Sequence, residues 1–254
     1  PELSADSVAL VCDFGGGTAD FSVIRLETGG TIRIPASHGV RIGGDELDSE
    51  IMWHRLVGYF GHGTLYESYG KLLPVPIHIY RTIRRWDRIA FLKAMEYRDE
   101  LTYIRNGAVD KAGISRLISL IDDDLCYALF QAIRAAKHEL SEHDAAAVRF
   151  FEHGIELKER IRAEEFGEYI QDELLGIDAA VSETLLKAGI NENQINMVFL
   201  TGGSSMVRQI RDQAEKRFPS ADIRMDTDRF NSVSLGLAME ARKRNLTSYQ
   251  SMGK

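Results

Sequence analysis

The feature that most constrains this chain is a triple glycine with an aspartate on either side, Asp13-Phe14-Gly15-Gly16-Gly17-Thr18-Ala19-Asp20, placed straight after the apolar run Val8-Ala9-Leu10-Val11-Cys12. A short continuous apolar run bounded by glycine reads as a strand buried on both faces. Phe21 to Leu26 reads as a second strand, Glu27-Thr28-Gly29-Gly30 as a turn, and Thr31 to Ile34 as a third strand. That is a β-meander opening, not a βαβ unit. Three glycines let the backbone approach an anion and aim its N–H groups at it, and Thr18 adds a hydroxyl. Two carboxylates beside a phosphate repel it unless a divalent cation lies between them. Asp13 and Asp20 therefore point to Mg²⁺, held directly or through water. Asp-Phe-Gly has no other kinase motif beside it, so no kinase is read from it.

Two further glycine turns accompany the first. Gly43-Gly44-Asp45-Glu46-Leu47-Asp48 opens a helix whose apolar residues are Leu47, Ile51, Met52, Leu56 and Phe60; its acids equally suit the helix dipole. Gly202-Gly203-Ser204-Ser205 lies between the buried strand Ile195 to Thr201 and a helix from Ser204 to Phe218. Such a turn suits a nucleotide, although Ser204 also serves as a plain N-cap.

Between these ends, Gly61 to Pro76 reads as loop and about Arg81 to Arg105 as helix, with Gly107 and Gly113 bracketing a break. One long helix is predicted from Ile114 to Leu140, with Leu117, Ile121, Leu125, Leu129, Ile133, Ala136 and Leu140 on one face. Arg134, Lys137, His138 and Ser141 form a polar stripe beside that face, which reads as a solvated helix surface as well as a binding one. A hairpin turned at His153-Gly154, a helix from Glu164 to Lys187 ending before Gly189, a short strand Asp222 to Met225, a last helix Asn231 to Arg244 and a polar tail follow. The fold class is α/β: a mixed sheet with flanking helices and an inserted helical subdomain carrying a small hairpin. Residues 1–48 and 193–254 form the sheet subdomain, and 49–192 the insert.

The net charge of −7 argues against nucleic acid as the main partner. No apolar run approaches the ~20 residues a spanning helix needs, so no membrane association is read. Pro1 to Asp6 has no signal-peptide character, and a longer parent chain is expected because the sequence starts without Met. Cys12 and Cys126 show no zinc spacing and read as buried thiols of a reducing cytoplasm.

Four segments together resemble the DnaK-type heat-shock chaperones of the actin-like (ribonuclease H-like) ATPase superfamily. Val8 to Asp20 resembles their second phosphate motif, and Arg41-Ile42-Gly43-Gly44-Asp45-Glu46-Leu47-Asp48 their "GGxxxD" element. Ala135 to Ser141 is similar to the adenine-facing helix, and Val198 to Ser204 to the adenosine motif. YegD-type chaperone-like proteins are most similar, through Arg41 to Gly44, Leu200 to Ser204 and Phe230-Asn231-Ser232-Val233. The resemblance implies an ATP/ADP site with Mg²⁺. Gly15, Gly16 and Gly17 would cradle the β- and γ-phosphates and Thr18 would contact the γ-phosphate. Asp13 and Asp20 would order the Mg²⁺ waters and the attacking water. Gly43, Gly44 and Asp45 would meet ribose and phosphates, Lys137 and Ser141 ribose and adenine, and Gly202, Gly203 and Ser204 the nucleoside.

The departures from the family pattern lie on the base side. Arg134 replaces an acid facing the adenine edge, Met206 an Arg that stacks on the base, and His138 and Phe230 are also non-standard. The 254 residues hold no Asp-x-Gly-Thr motif, no lobe I lysine and no β-sandwich after Arg244. The reading is therefore a second lobe (lobe II) whose hydrolysis needs lobe I, with the protein client left open. The alternative is a nucleotide-regulated scaffold with little turnover.

Overall fold

The computed structural model describes residues 7–27 and 31–225. The expected last helix, the tail and Phe230 to Val233 lie outside these. The chain forms two compact units. Of the described residues, one contains 7–27, 31–41, 177–205 and 210–225, and the other 42–176 and 206–209.

The first unit is built on a five-stranded mixed sheet in the order β3-β2-β1-β8-β9. β1 (Val8–Phe14) lies at its centre, antiparallel to β2 (Ala19–Leu26) and parallel to β8 (Met197–Thr201). Ala9, Leu10, Cys12 and Phe14 are all buried, as the continuous apolar run requires of a strand covered on both faces. β3 (Ile32–Val40) forms one edge and is longer than the four residues expected. Pro35 lies within it: an edge strand tolerates the missing N–H, and the register shifts between Val23 and Arg25, opposite that segment. β9 (Asp222–Met225) closes the other edge, parallel to β8. A small apolar cavity of about 30 Å³ marks where helices cover the sheet. It is lined by Cys12, Phe21 and Leu200 from strands, Ile177 and Val181 from α7 (Gln171–Ala188), and Phe218. Residues 177–192 therefore belong with the sheet instead of the insert. Gly189, at φ 65°, ends α7 as a C-terminal glycine should.

The second unit is mostly helical. α1 (Gly44–Ile51) passes into a π turn, Met52–Leu56, and a 3₁₀ turn, Val57–Phe60, ended by Gly61 at φ 85°. Residues 42–48 belong to this unit because α1 packs on α5 (Cys126–Glu142) and α6 (Ala163–Tyr169). The expected loop at Gly61 to Pro76 is instead a hairpin of β4 (Leu65–Ser68) and β5 (Lys71–Pro74), turned at Tyr69 and Gly70, both at positive φ. All four β5 residues are exposed, so no alternation of apolar residues announces the strand. The single helix expected over Arg81 to Arg105 is three pieces: α2 (Ile77–Ile83), a 3₁₀ stretch Trp86–Lys93, and α3 (Met95–Gly107).

The long helix expected from Ile114 to Leu140 is two, α4 (Lys111–Asp122) and α5, separated at Asp123-Asp124-Leu125 with Asp124 at φ 58°. Leu117, Ile121, Leu125 and Leu129 are nonetheless all buried, so three-and-four spacing ran unbroken across a real break. Gly113, expected with Gly107 to bracket a break before the long helix, lies inside α4. β6 (Ala145–Glu152) and β7 (Ile155–Arg162) form the expected hairpin, with His153 and Gly154 at φ 48° and 77°. The helices expected over Glu164 to Lys187 and Ser204 to Phe218 are each interrupted. Buried Ile170 separates α6 from α7, and buried Val207 separates a 3₁₀ turn, Gly203–Met206, from α8 (Arg208–Arg217). A buried residue at each break hides it from the periodicity.

Candidate functional site

In the sheet unit, the parallel pairing of β1 with β8 places Asp13 beside Thr201, so both strands end together and each runs into a glycine turn. The carboxyl ends of adjacent parallel strands are where α/β sheets place their ligands. After β1, the Gly15 N–H donates to the Thr18 carbonyl at 2.8 Å and closes the turn Gly15 to Thr18. A Cβ added at Gly16 or Gly17 meets nothing within 4 Å. Both residues are exposed, so their backbone is open to an incoming group. After β8, Gly202 has φ 82°, and a Cβ there would come within 2.3 Å of the Phe14 carbonyl oxygen and 2.9 Å of Asp13 Oδ1. Only glycine lets these two turns approach so closely. Ser204 Oγ donates to the Gly15 carbonyl at 3.4 Å, tying the turns together, and Ser205 Oγ donates to the Gly202 carbonyl at 2.7 Å within its own turn. Ser204 is buried and Gly203 exposed.

Asp13 and Asp20 are direct cross-strand partners. Like charges in that relation oppose each other. Burial, and then the Asp20 charge, raise the Asp13 carboxyl above its ordinary 3.8. Thr18 Oγ1 donates to Asp20 Oδ2 at 3.0 Å, which aims that carboxylate. Gly39 of β3 lies opposite Asp20, and a Cβ there would come within 2.4 Å of Asp20 Oδ1. Gly39 therefore makes room for the carboxylate. Sequence reasoning missed it, because a lone glycine in a strand gives no sign of what it leaves space for. Among the described residues no group of three or more His, Cys, Asp or Glu could cage a metal. Two carboxylates that raise each other's energy, beside an open glycine turn, do fit Mg²⁺ held through water and phosphate, since that ion keeps most of its hydration.

In the helical unit the polar groups are engaged with one another. The Gly43 N–H donates to Glu46 Oε2 at 3.1 Å, and Asp45 and Glu46 occupy the first turn of α1. Lys137 Nζ donates to the Gly44 carbonyl at 2.8 Å and lies 2.7 Å from Asp48 Oδ1. Asp48 is fully buried and Lys137 only 8% exposed. Burial pulls the Asp48 carboxyl up, with Lys137 and Arg134 opposing. Arg134 reaches Asp45 Oδ1 at 3.2 Å and Asp48 Oδ2 at 3.5 Å while its side chain stays 45% exposed. Ser141 is buried and donates to the Lys137 carbonyl of its own helix at 3.4 Å. His138 is exposed and Met206 half-buried.

The stripe Arg134, Lys137, His138 and Ser141 is therefore split. Two members point to solvent and two are spent inside. Asp48 was not singled out as a site residue, although an acid between Leu47 and Ile51 on an apolar helix face was a legible sign of a buried partner.

The family model for Hsp70 protein matches residues 102–244, more than half of the chain. The chain belongs to the Hsp70 family. The matched span contains α5 and the Gly202 turn and begins after the Asp13–Asp20 loop. The mixed sheet with flanking helices is accordingly that of an actin-like ATPase fold, in an ATP-binding domain of the chaperone type. A search of the curated proteins found no match. Among the described residues of this Hsp70-family domain, no helix is long and apolar enough to cross a membrane.

Proposed function

We propose that this chain is the second lobe of a DnaK-like ATPase, most akin to the YegD-type proteins, and supplies half of a Mg²⁺–nucleotide site. The observation that carries this is the pair of glycine turns at the ends of β1 and β8, held together through Gly202 and Ser204, with Gly16 and Gly17 open beside two opposed carboxylates.

In this reading Gly15, Gly16 and Gly17 receive the β- and γ-phosphates, and Thr18 contacts the γ-phosphate. Asp13 and Asp20 would hold Mg²⁺ waters and orient the attacking water, and the ion, when bound, neutralises phosphate charge. Gly202, Gly203 and Ser204 take the nucleoside. Gly43, Gly44 and Asp45 would meet ribose and phosphates, Lys137 and Ser141 would reach ribose and adenine, and Arg134, His138 and Met206 would lie on the base side. Hydrolysis requires a first lobe carrying an Asp-x-Gly-Thr turn and a lysine, which the 254 residues do not contain. The protein works in the cytoplasm, with lobe I and a protein client as partners.

The test is Mg²⁺–ATP binding and turnover by the purified chain and by the chain joined to such a lobe, each with Asp13→Asn and Thr18→Ala. Weak binding without turnover by the chain alone, and turnover lost in both variants of the joined protein, is the expected outcome. Robust hydrolysis by residues 1–254 alone would refute the half-site.

One observation favours a second reading, a nucleotide-regulated scaffold with little turnover. The polar groups of α5 assigned to ribose and base are largely engaged with α1 and with α5 itself. Equal, negligible hydrolysis by the joined wild type and both variants would select it.

A further inference from the structure

A cavity of about 240 Å³ lies between α3 and α4 in the helical unit, and no residue assigned to the nucleotide lines it. Its apolar wall is Leu92, Leu101 and Ile121, all buried, with half-buried Ile118. Arg98, Asp99 and Thr102 are exposed at its mouth. Arg105, half-buried, follows Arg98, Leu101 and Thr102 on the same face of α3. We propose that this cavity binds a small organic carboxylate, with its apolar body against the leucines and isoleucines and its charge on the Arg105 guanidinium.

The two arginines of the cavity differ in what they hold. Arg98 is engaged: its Nε donates to Asp122 Oδ1 at 3.0 Å, tying α3 to the end of α4. Among the described residues Arg105 has no such partner, neither a carboxylate nor an accepting side chain or carbonyl. Three and four residues away on either side stand Leu101, Thr102, Ala108 and Val109, so its own segment supplies no acid. A guanidinium presents its donors as a planar fork that matches a carboxylate, and the pair strengthens where apolar walls keep water back.

The acids of the cavity set the ligand's orientation. Asp122 is already matched by Arg98. Asp99 has no cation partner among the described residues, but it is exposed and its charge is screened by water. It precedes Arg105 by six residues, about 9 Å along the helix, so an anion is held at the Arg105 end. Size limits the ligand as well. At roughly 30 Å³ per water in the liquid, the cavity has room for about eight heavy atoms, the size of a six-carbon monocarboxylate.

The test is titration of the 254-residue chain with hexanoate, followed by the amide NMR shifts of Thr102 and Ile118. Hexanol, hexylammonium and inorganic phosphate are the parallel probes. Hexanoate is expected to bind with a Kd of about 1 mM, and hexanol and phosphate about tenfold more weakly. Arg105→Met should weaken hexanoate about tenfold and leave hexanol within about twofold. Arg105→Glu should reverse the preference, so that hexylammonium binds more tightly than hexanoate. Hexanol equal to hexanoate would mean a cavity indifferent to charge, and phosphate equal to hexanoate a plain anion site; either overturns the proposal. So would Arg105→Met binding hexanoate as wild type does, or none of the probes shifting these amides. Should Arg105→Met not fold, Arg105→Lys keeps the charge and loses the fork: a loss of about threefold or more supports the proposal, and no loss overturns it.

Discussion

The turn after β1 and the start of α1 are both glycine-led and both acidic, yet they have opposite electrostatic states. Around Asp13, Thr18 and Asp20 the two acids are opposite each other on paired strands, the Thr18 hydroxyl donates to Asp20, and the neighbouring Gly16 and Gly17 are open. Around Asp45 and Asp48 the carboxylates are matched by Arg134 and Lys137, and the backbone is already hydrogen-bonded. The first arrangement opposes two carboxylates. The second pairs each of its carboxylates with a cation from α5. A glycine turn with acids is thus no single kind of site: what matters is whether cations from elsewhere in the fold reach those acids.

The comparison breaks most readily at Lys137. Lys137→Met leaves buried Asp48 with the more distant Arg134, 3.5 Å away, as its cation, and a loss of about 3 kcal/mol is expected in chemical denaturation. A loss below 1 kcal/mol would mean that the α1 side is not closed upon itself. Next is the pair Gly202→Ala and Gly16→Ala. The first forces a Cβ onto the Phe14 carbonyl at positive φ and should cost about 2 kcal/mol, whereas the second should stay within about 0.5 kcal/mol while weakening Mg²⁺–ATP binding. Equal stability losses at both positions would remove the distinction between a packed and an open glycine.

Arg134→Ala sharpens the contrast inside α5. Half-exposed pairs contribute little, so a loss of about 0.5–1 kcal/mol is expected, far below that of Lys137→Met in the same assay. The smallest effect concerns Asp13. Its folded pKa lies above the unfolded 3.8, so the folded state holds its proton more tightly. Stability from this group therefore falls as pH rises through that window. Asp13→Asn should stabilise the nucleotide-free chain at pH 7 by a few tenths of a kcal/mol, after discounting for its exposure to solvent, and the gain should vanish below about pH 4. Thermal melts at pH 7 and pH 4 check it. A destabilised Asp13→Asn at pH 7 would mean that the two carboxylates are not opposed.

Much of the fold was legible because local rules and burial agreed. The apolar run of β1, the paired positive-φ turn at His153-Gly154 and the terminal Gly189 each state their structure within a few residues. What misled was periodicity where tertiary packing overrode local preference. Leu117 to Leu140 keeps its spacing across the Asp123-Asp124-Leu125 break, where Asp124 pairs with Lys93, and Asp122 at the end of α4 with Arg98, from elsewhere in the chain. The β4–β5 hairpin was unreadable for the opposite reason, since an exposed strand carries no alternation.

The character of the glycine turn after β1 is legible in the sequence, because its chemistry lies in consecutive residues: a buried strand, three glycines, a hydroxyl and two acids. The sequence by itself also determined that α5 carries Arg134, Lys137, His138 and Ser141 on neighbouring positions. Only the tertiary structure decided which of these remain available. Asp48 lies 89 residues before Lys137, and a buried charge seeks the nearest opposite charge in space, whatever its distance along the chain.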